Sequence, residues 1–358
     1  MCCCGLMSRR QLLQFLAIGG AAVASGCAAP SAEHRAAAET LARDTLSIDL
    51  HSHAGLQPRS PVALDQHIEK LGQGRVSACV FTVSPDRPVL GYTPGKDIYV
   101  TRSPEPGELY AHTRRAQAPL LAAVDRGRLA LVKTAADLEA ARERGQRAAI
   151  MATEGGDFLE GRHERVQEAY ERGQRVLQLV HFRVNELGDI QTAPAVHGGL
   201  TPFGRDVVRE MNRLGMLVDL AHATEGDVRS AIEVSTKPMM ISHTNLQNRT
   251  GWRRFISVEH ARLVTTHGGI IGSMPIAVGI HGFRGYIDEI LRLVDTVGAD
   301  HVAIGTDMEG ILGGNALFDD YAAWLTIPGA LLARGVGRGD VAKIVGGNFF
   351  RVFREVTG

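Results

Sequence analysis

Ile48-Asp49-Leu50-His51-Ser52-His53 is a short apolar run that ends in two histidines, and it belongs to the first of eight such runs along the chain. The runs span residues 46–51, 76–83, 148–153, 176–182, 216–220, 239–242, 269–274 and 302–305. Longer amphipathic segments follow several of them, which is the pattern of βα units around a parallel sheet. Eight runs predict an α/β fold in which the sheet closes into a (β/α)8 TIM barrel.

Three other segments refine this prediction. Residues 202–214 carry an apolar face at helical spacing and predict one of the helices between the strands. The residues of this face are Phe203, Val207, Val208, Met211 and Leu214. A ninth apolar run, at residues 129–133, exceeds the number of barrel strands, and the Pro/Gly-rich loop 86–107 is long enough to serve a function.

The first 27 residues predict an export signal. Arg9 and Arg10 form a twin-arginine pair, and the apolar stretch 15–25 is too short for a membrane anchor, which needs about 20 residues. Small residues precede Cys27 as in a bacterial lipobox, although Ala24 stands where Leu is usual. We therefore expect a bacterial protein exported by the twin-arginine route, either to the periplasm or to a membrane as a lipoprotein anchored at Cys27. Translation from Met1 or Met7 stays open.

Residues 28–44 are expected to form a linker or helix, and residues 45–358 a single domain. Of the 358 residues, 44% are hydrophobic, 22% charged and 5% aromatic, which excludes disordered, collagen-like and disulfide-rich proteins. The 39 Lys and Arg balance the 39 Asp and Glu, so no positive charge indicates nucleic acid as a partner, and a small molecule is favoured. Cys79 is the only cysteine after the signal and is expected in the core.

Side chains that can bind metals follow most of the apolar runs. The residues are His51, His53, Glu154, His181, His222, His243 and Asp307. In a (β/α)8 barrel the catalytic groups lie at the carboxyl ends of the strands, so these side chains should meet at one mouth. Imidazole and carboxylate ligands suit zinc or a similar divalent ion. One such residue is more often a cap or a core residue, but burying all of them without a metal would leave their desolvation uncompensated, so we predict a metal site.

Eight short motifs follow one another in order over residues 45–356, and six of them carry these side chains. They read Ile-Asp-Leu-His-Ser-His at 48–53, Thr-Glu-Gly-Gly at 153–156, Leu-Val-His at 179–181, Gly-Leu-Thr-Pro-Phe-Gly at 199–204, Asp-Leu-Ala-His at 219–222, Ile-Ser-His at 241–243, Ile-Gly-Thr-Asp at 304–307 and Gly-Asn-Phe-Phe-Arg-Val-Phe at 347–353. Together the motifs resemble the membrane (renal-type) dipeptidases, metallopeptidase family M19. This resemblance implies a barrel of the metal-dependent hydrolase (amidohydrolase) type.

The resemblance also implies a cofactor. Members of the family hold two zinc ions bridged by a glutamate, which Glu154 matches here. His51 and His53 match the ligands of one zinc, and His222 and His243 match those of the other. Cobalt or manganese could occupy the same ligands, so the identity of the metal is left open.

Three more residues match the family's catalytic and substrate-binding groups. Asp307 matches an aspartate that contacts the first metal and acts as general acid and base. His181 matches a histidine that polarises the scissile carbonyl or stabilises the oxyanion, and Arg254 matches the arginine that grips the substrate's C-terminal carboxylate. The implied activity is hydrolysis of the amide bond of a dipeptide by a hydroxide that bridges the metals. The preferred dipeptide, activity on β-lactams and formation of a homodimer stay open.

One residue departs from the family pattern. The family's first motif is usually His-x-Asp, whereas this chain has His51-Ser52-His53. A neutral imidazole in place of a carboxylate removes one negative charge from the site, a change that affects the choice of substrate and not the fold. Two other interpretations therefore stay open: another amidohydrolase-type enzyme acting on a non-peptide amide, a lactone or a deaminase substrate, or an exported binding protein without catalysis.

Overall fold

Parallel strands form the wall of a barrel. The computed structural model describes residues 30–57, 60, 62–93, 97–311 and 314–358. Its strands are β1 (Ile48–Ser52), β2 (Ala78–Val83), β3 (Leu90–Tyr92), β4 (Ile98–Val100), β5 (Ala130–Leu131), β6 (Ala148–Glu154), β7 (Gln174–Gln178), β8 (Leu217–Asp219), β9 (Met240–Thr244), β10 (Ile270–Ser273) and β11 (Val302–Ile304). Eight of them pair in the order β1-β2-β6-β7-β8-β9-β10-β11, with every pair parallel. The predicted (β/α)8 barrel is confirmed.

The barrel closes between β11 and β1, just beyond the last residue of β11. Ser52 and Met308 form a parallel bridge. The Asp307 amide donates a hydrogen bond to the His51 carbonyl (3.0 Å), and the His53 amide donates to the Met308 carbonyl (2.9 Å). The backbone of the His-Ser-His motif therefore forms one side of the seam that closes the barrel.

Helices cover the outside and one end of the strands. They are α1 (Ala32–Asp44), α2 (Leu64–Gln73), α3 (Glu108–Asp125), α4 (Ala135–Glu143), α5 (Glu164–Glu171), α6 (Pro202–Leu214), α7 (Glu225–Val234), α8 (Val258–Thr266), α9 (Gly282–Val297), α10 (Thr326–Ala333), α11 (Arg338–Ala342) and α12 (Asn348–Thr357). Helix α6 covers the residues predicted from its apolar face. Thr201 caps it by accepting the Gly204 amide (3.0 Å), and Pro202 takes the first position, where no amide donor is needed.

The remaining segments of the sequence prediction also have a place in the fold. The ninth apolar run forms β5, which pairs with Ala148 and Ala149 at the start of β6. The later residues of β6, from Met151 onwards, pair with β7 instead. Loop 86–107 contains the antiparallel hairpin β3–β4. The apolar run 176–182 is longer than its strand, because β7 ends at Gln178 while Leu179 and Val180 beyond it are still buried. Cys79 is fully buried, as expected.

A ring of apolar side chains fills the barrel below its mouth. Each of the eight barrel strands contributes at least one buried residue to this cluster. Among them are Ile48, Val80, Ile150, Val176, Leu217, Met240, Ile270 and Ala303. Phe349 and Phe353 of α12 belong to the same cluster and close the barrel at the amino ends of the strands. Because side chains alternate along a strand, Glu154 lies on the same face as Ile150, two alternations nearer the mouth.

The amino-terminal part of the described chain packs on the barrel's helices. Ala38 and Leu41 of α1 are buried, and α1 contacts α10. Within the part of the chain that the structure describes, none of the helices has the length and apolar character needed to cross a membrane. The predicted export signal and Cys27 lie outside the described residues, so export and lipidation stay predictions.

Glycine in β10 allows two strands to approach closely near the mouth. A Cβ atom added at Gly272 would lie 1.9 Å from the Ser242 carbonyl oxygen of β9, whereas one added at Gly72 in α2 would meet nothing within 4 Å. We expect Gly272→Ala to lower the free energy of unfolding by about 1–3 kcal/mol through overpacking. Gly72→Ala should raise it by about 0.5–1 kcal/mol, because alanine is the better helix former. Denaturant unfolding measures both values, and similar values for the two variants would contradict the close approach.

Candidate metal centre

A single buried carboxylate lies at the centre of the barrel mouth. Glu154 is the last residue of β6, and its side chain is 3% exposed. Its two oxygens lie between 3.0 and 3.5 Å from the Nε2 atoms of five histidines. These histidines are His51, His53, His181, His222 and His243. The strand-end residues that the sequence predicts to meet at one mouth are therefore in contact.

Four of the five imidazoles form two pairs. The Nε2 atoms of His51 and His53 are 3.3 Å apart, and those of His222 and His243 are also 3.3 Å apart. Two nitrogens bound to one tetrahedral zinc at about 2.0–2.1 Å each would be about 3.3–3.4 Å apart. The spacing of both pairs thus fits a shared divalent ion, and the donor set of imidazole and carboxylate fits zinc.

Asp307 completes the first of these pairs. Its Oδ1 lies 3.5 Å from His53 Nε2 and 3.9 Å from His51 Nε2. Burial and the nearby Glu154 charge raise the pKa of Asp307 to about 7, against the opposing effect of His53 and Arg254. Asp307 and His222 both adopt left-handed backbone conformations, with φ of 50° and 67°. Such conformations are costly for residues other than glycine and persist where the surrounding structure fixes them.

Neighbouring groups orient the rings. His53 Nδ1 lies 2.9 Å from the Thr82 carbonyl oxygen. Because a carbonyl only accepts, this nitrogen carries the proton when the ring is neutral, and Nε2 then presents its lone pair to the centre. Ser242 Oγ lies 3.3 Å from His51 Nδ1 and 2.9 Å from His243 Nδ1, so one hydroxyl holds both rings.

Burial and mutual proximity set the charge state of the cluster. Burial and the neighbouring His243 hold the pKa of His51 well below its usual range, and burial with the Arg254 charge does the same to the pKa of His222. Burial would raise the pKa of Glu154, but the imidazoles around it, His181 first, hold that pKa well below its usual range. A charged Glu154 beside the neutral imidazoles of His51 and His222 is the state in which these groups bind a cation.

Three triads within the cluster bring their donor atoms within 4.8 Å of one another. They are His51, His53 and Asp307; His51, Glu154 and His243; and Glu154, His181 and His222. The first two triads contain only residues that the resemblance assigns to metals. The third adds His181, which the resemblance assigns to substrate, so this histidine is also within reach of a metal bound beside Glu154.

Asp86 holds His181 in place. Its Oδ1 lies 2.8 Å from His181 Nδ1, and its Oδ2 accepts the Phe182 amide at 3.1 Å. Burial lowers the pKa of His181, but the charges of Asp86 and Glu154 outweigh that effect and raise it to about 9. Sequence reasoning missed Asp86, which lies in the loop after β2. Its position in the segment Ser-Pro-Asp-Arg-Pro directly after a buried strand was the available signal.

Arg254 is buried at the edge of the cluster. It follows His243 by eleven residues, and its Nη2 donates to the His243 carbonyl (3.4 Å) while its Nη1 donates to Gln191 Oε1 (2.5 Å). Burial lowers the pKa of Arg254 to about 10, and the charges of Glu154 and Asp307 oppose this effect. The guanidinium group therefore stays charged at neutral pH. The sequence did not indicate Gln191. Its backbone N–H in turn donates a hydrogen bond to the His222 carbonyl (2.9 Å).

Two buried aspartates support the backbone of the centre, and the sequence analysis missed both as site residues. Asp219 Oδ1 accepts the amides of Ala221 and Ser242, each at 3.0 Å. Asp49 accepts the Tyr321 hydroxyl (2.5 Å) and the Thr306 amide (2.8 Å). An aspartate inside an apolar strand run was the signal for each of them. Their contacts fix the backbone from which His51, His222, His243 and Asp307 project.

The cluster opens into a cavity of about 880 Å³. Every predicted site residue except His51 lines this cavity. The hairpin β3–β4 forms one wall with Leu90 and Ile98, and alternate residues after β10, Met274 and Ile276, form another. The long loop 86–107 therefore borders the candidate active site.

Glu309 connects the two sides of the barrel seam beside Asp307. Its carboxylate accepts the Gly55 amide (2.9 Å), the Ser60 hydroxyl (2.7 and 2.8 Å) and His67 Nε2 (2.8 Å). Burial would raise the pKa of Glu309, but these donors lower it. His67 thus helps to fix the loop that carries Asp307.

Removing the Glu309 charge should loosen this connection. We expect Glu309→Gln to lower the free energy of unfolding of the metal-free protein by about 1–3 kcal/mol at neutral pH, because an amide cannot accept all these donors. The folded-state pKa is lowered, so the stabilisation exists above the unfolded-state pKa. The difference from wild type should therefore shrink as the pH falls through the folded-state pKa. Glu69→Gln, at an exposed position of α2, is the control, and equal losses in the two variants would contradict the connection.

Comparisons with known proteins bear on this centre. A model of the membrane dipeptidase family, peptidase family M19, matches residues 35–358. Dipeptidase tcpJ of Claviceps purpurea is 32% identical over 230 residues, which cover 59% of this chain and 52% of that protein. Dipeptidase verJ of Clonostachys rogersoniana is 26% identical over 234 residues, which cover 64% and 60%. The chain spans between about half and three fifths of the length of the curated relatives it matches.

Solved structures share the fold at lower identity. The probable dipeptidase PvdM from Pseudomonas aeruginosa has a TM-score of 0.76 and 19% identity, covering 91% of this chain and 98% of its own. A metallo peptidase from Rhodobacter sphaeroides, liganded with a phosphinate mimic of the dipeptide L-Ala-D-Ala, has a TM-score of 0.73 and 19% identity, covering 87% and 100%. At this identity the likeness establishes the barrel and its topology.

Proposed function

The chain belongs to the membrane dipeptidase family, peptidase family M19, and from this premise we propose that it is a metallopeptidase that hydrolyses the amide bond of dipeptides with two zinc ions. One observation carries the proposal. Four paired imidazoles and Asp307 surround the shared carboxylate of Glu154 at the floor of a cavity that Arg254 also lines. A metal pair, an anionic bridge and a cationic substrate anchor are the parts that such a hydrolase requires.

Two ligand sets would hold the two ions. His51, His53 and Asp307 form one set, His222 and His243 form the other, and Glu154 belongs to both. The 3.3 Å nitrogen separations within the two histidine pairs support this division. Bound zinc ions would acidify a water molecule and polarise the scissile carbonyl, so that attack becomes feasible at neutral pH.

The chain's own residues would position the substrate and move the proton. Arg254 would bind the C-terminal carboxylate through two parallel hydrogen bonds, a geometry that a lysine does not offer. The raised pKa of His181 favours its charged form, whose Nε2–H can donate to the carbonyl oxygen as negative charge develops there. The Asp307 carboxylate, 14% exposed towards the cavity, would take the proton of the attacking water and pass it to the leaving amine.

The comparisons support a dipeptide as the substrate. The curated relatives are named dipeptidases, and the Rhodobacter sphaeroides enzyme binds a dipeptide mimic. A panel of free dipeptides, assayed with and without added zinc, tests the proposal directly. Hydrolysis that depends on zinc is the expected result. Zinc binding without hydrolysis of any dipeptide would instead favour another amidohydrolase-type activity or a binding protein.

Metal content tests the shared ligand. Purified protein should bind about two zinc ions per chain and lose its activity to chelators. Glu154→Gln should reduce binding at both positions, because it removes the anionic ligand that both sets share. His222→Ala should remove about one ion, and His267→Ala, at an exposed position, should remove none. Elemental analysis that finds only trace metal in fully active protein would rule out the two-metal proposal.

The role of Arg254 can be tested with paired substrates. A charge-assisted contact contributes about 1.5–3 kcal/mol, so Arg254→Met should lower kcat/KM on a free dipeptide by roughly ten- to a hundredfold. On the matching dipeptide amide, which lacks the carboxylate, the same substitution should cost little, and the two losses should be non-additive. Equal losses on both substrates would assign Arg254 a structural role. Equal cleavage of amides and free dipeptides by the wild type would contradict the dipeptidase proposal itself.

A further inference from the structure

We infer that this site prefers dipeptides with an acidic side chain, and that Arg87 and Arg253 select the second negative charge. The inference rests on the proposed function and deepens it. In that function Arg254 is occupied by the substrate's C-terminal carboxylate. Arg87 and Arg253 also line the cavity, and no part of a neutral dipeptide would use them.

Arg87 lies next to the residue that holds His181. It follows Asp86 directly in the loop after β2 and is half-buried. Its guanidinium carbon lies 5.5 Å from the centre of the Tyr92 ring on hairpin β3–β4, within the range of a cation–π contact. The aromatic ring orients this cation at the cavity wall and leaves its charge without a carboxylate partner. No Asp or Glu in the described chain forms an ion pair with Arg87.

Arg253 lies next to the proposed carboxylate anchor. It precedes Arg254 directly, and its side chain is exposed towards the cavity. Among the residues that the structure describes, its guanidinium group has neither a hydrogen bond nor an ion pair. The residues outside the described ranges include no aspartate or glutamate, so every acidic side chain of the protein lies in the part that the structure describes.

The carboxylates that line the cavity are already engaged elsewhere. Glu154 is surrounded by imidazoles and also accepts the Ser84 hydroxyl (3.1 Å), Glu309 accepts Gly55, Ser60 and His67, and Asp307 contacts His53. Asp97 contacts Thr93 within the hairpin and forms no ion pair with either arginine. The cavity therefore presents two uncommitted cations to its contents.

Space and metal charge favour the same class of substrate. A volume of about 880 Å³ lies in the upper part of the usual range for small-molecule pockets, about 300–1,000 Å³, so side chains have room. An imidazole is neutral when it binds a metal, so His53 as a ligand would leave more of the metal's positive charge uncompensated than a carboxylate would. A cavity with a positive field raises the local concentration of anionic substrates and fits their charge. Dipeptides that contain Asp or Glu meet this description.

Isosteric substrate pairs separate charge from shape. The zinc-loaded enzyme is assayed for kcat/KM on Ala-Asp against Ala-Asn, Ala-Glu against Ala-Gln, and Asp-Ala against Asn-Ala. We expect the wild type to favour the acidic member of at least one pair by about tenfold or more, since a contact between charged groups at a partly exposed site is worth a few-fold for each arginine. The preference should decrease as the ionic strength rises.

Three variants locate the source of this preference. Arg87→Met and Arg253→Met should each lower the ratio of acidic to neutral kcat/KM by about two- to fivefold, and the double variant should bring it close to one. Arg249→Met is the matched control, because Arg249 is exposed in the same loop as Arg253 and does not line the cavity. Its ratio should equal that of the wild type.

The possible outcomes keep this inference apart from the proposed function. Cleavage of neutral and acidic dipeptides at equal rates, or ratios that fall equally in the Arg249 control, would overturn the acidic preference and leave the dipeptidase proposal intact. Failure of the zinc-loaded enzyme to cleave any dipeptide would overturn both. A wild-type preference that falls in each single variant and disappears only in the double variant supports the assignment of both arginines.

Discussion

The buried carboxylate of Glu154 is the constraint on which the site depends. A charge placed inside a barrel is tolerated only if nearby groups compensate for its lost hydration. Here five imidazoles and the Ser84 hydroxyl surround the carboxylate, and several of these rings are held from behind by a carbonyl, a hydroxyl or an aspartate. The strand ends are arranged around one acidic side chain. A cation between the imidazole pairs and Glu154 would satisfy all of these groups together.

Much of this arrangement could be predicted because it follows from periodicity. Apolar runs define the strands, and the barrel rule places the residues that follow them at one mouth, which is why His51, Glu154 and Asp307 were expected together. The supporting groups could not be predicted in this way. Asp86 and Gln191 lie in loops, where no repeating pattern links a residue to its partner. The strand before His181 is shorter than its apolar run for a related reason: Leu179 and Val180 are buried beyond the end of β7, so the sequence pattern continues past the strand.

His53 departs from the family pattern, yet the surrounding structure suits an imidazole. Its Nδ1 has an acceptor of its own, the Thr82 carbonyl at 2.9 Å. A carboxylate oxygen could not donate a hydrogen bond to that carbonyl as the Nδ1–H group does. The backbone of β2 therefore favours the proton-bearing ring, and the lower negative charge of the site is matched by its immediate surroundings. The lower negative charge of the site also favours binding of anions in the cavity. Three arginines line that cavity: Arg87, Arg253 and Arg254.

The seam that closes the barrel is also part of the candidate centre. Backbone hydrogen bonds join Asp307 to His51 and Met308 to His53. The Asp307 carboxylate also lies within 3.9 Å of the Nε2 atoms of both histidines. The left-handed conformations of Asp307 and Glu309 are held there by contacts from the opposite side of the seam. A metal bound by His51, His53 and Asp307 would join the first strand to the last. Because a ligand that binds only the folded state stabilises that state, such a metal would couple its own binding to closure of the barrel through these three residues.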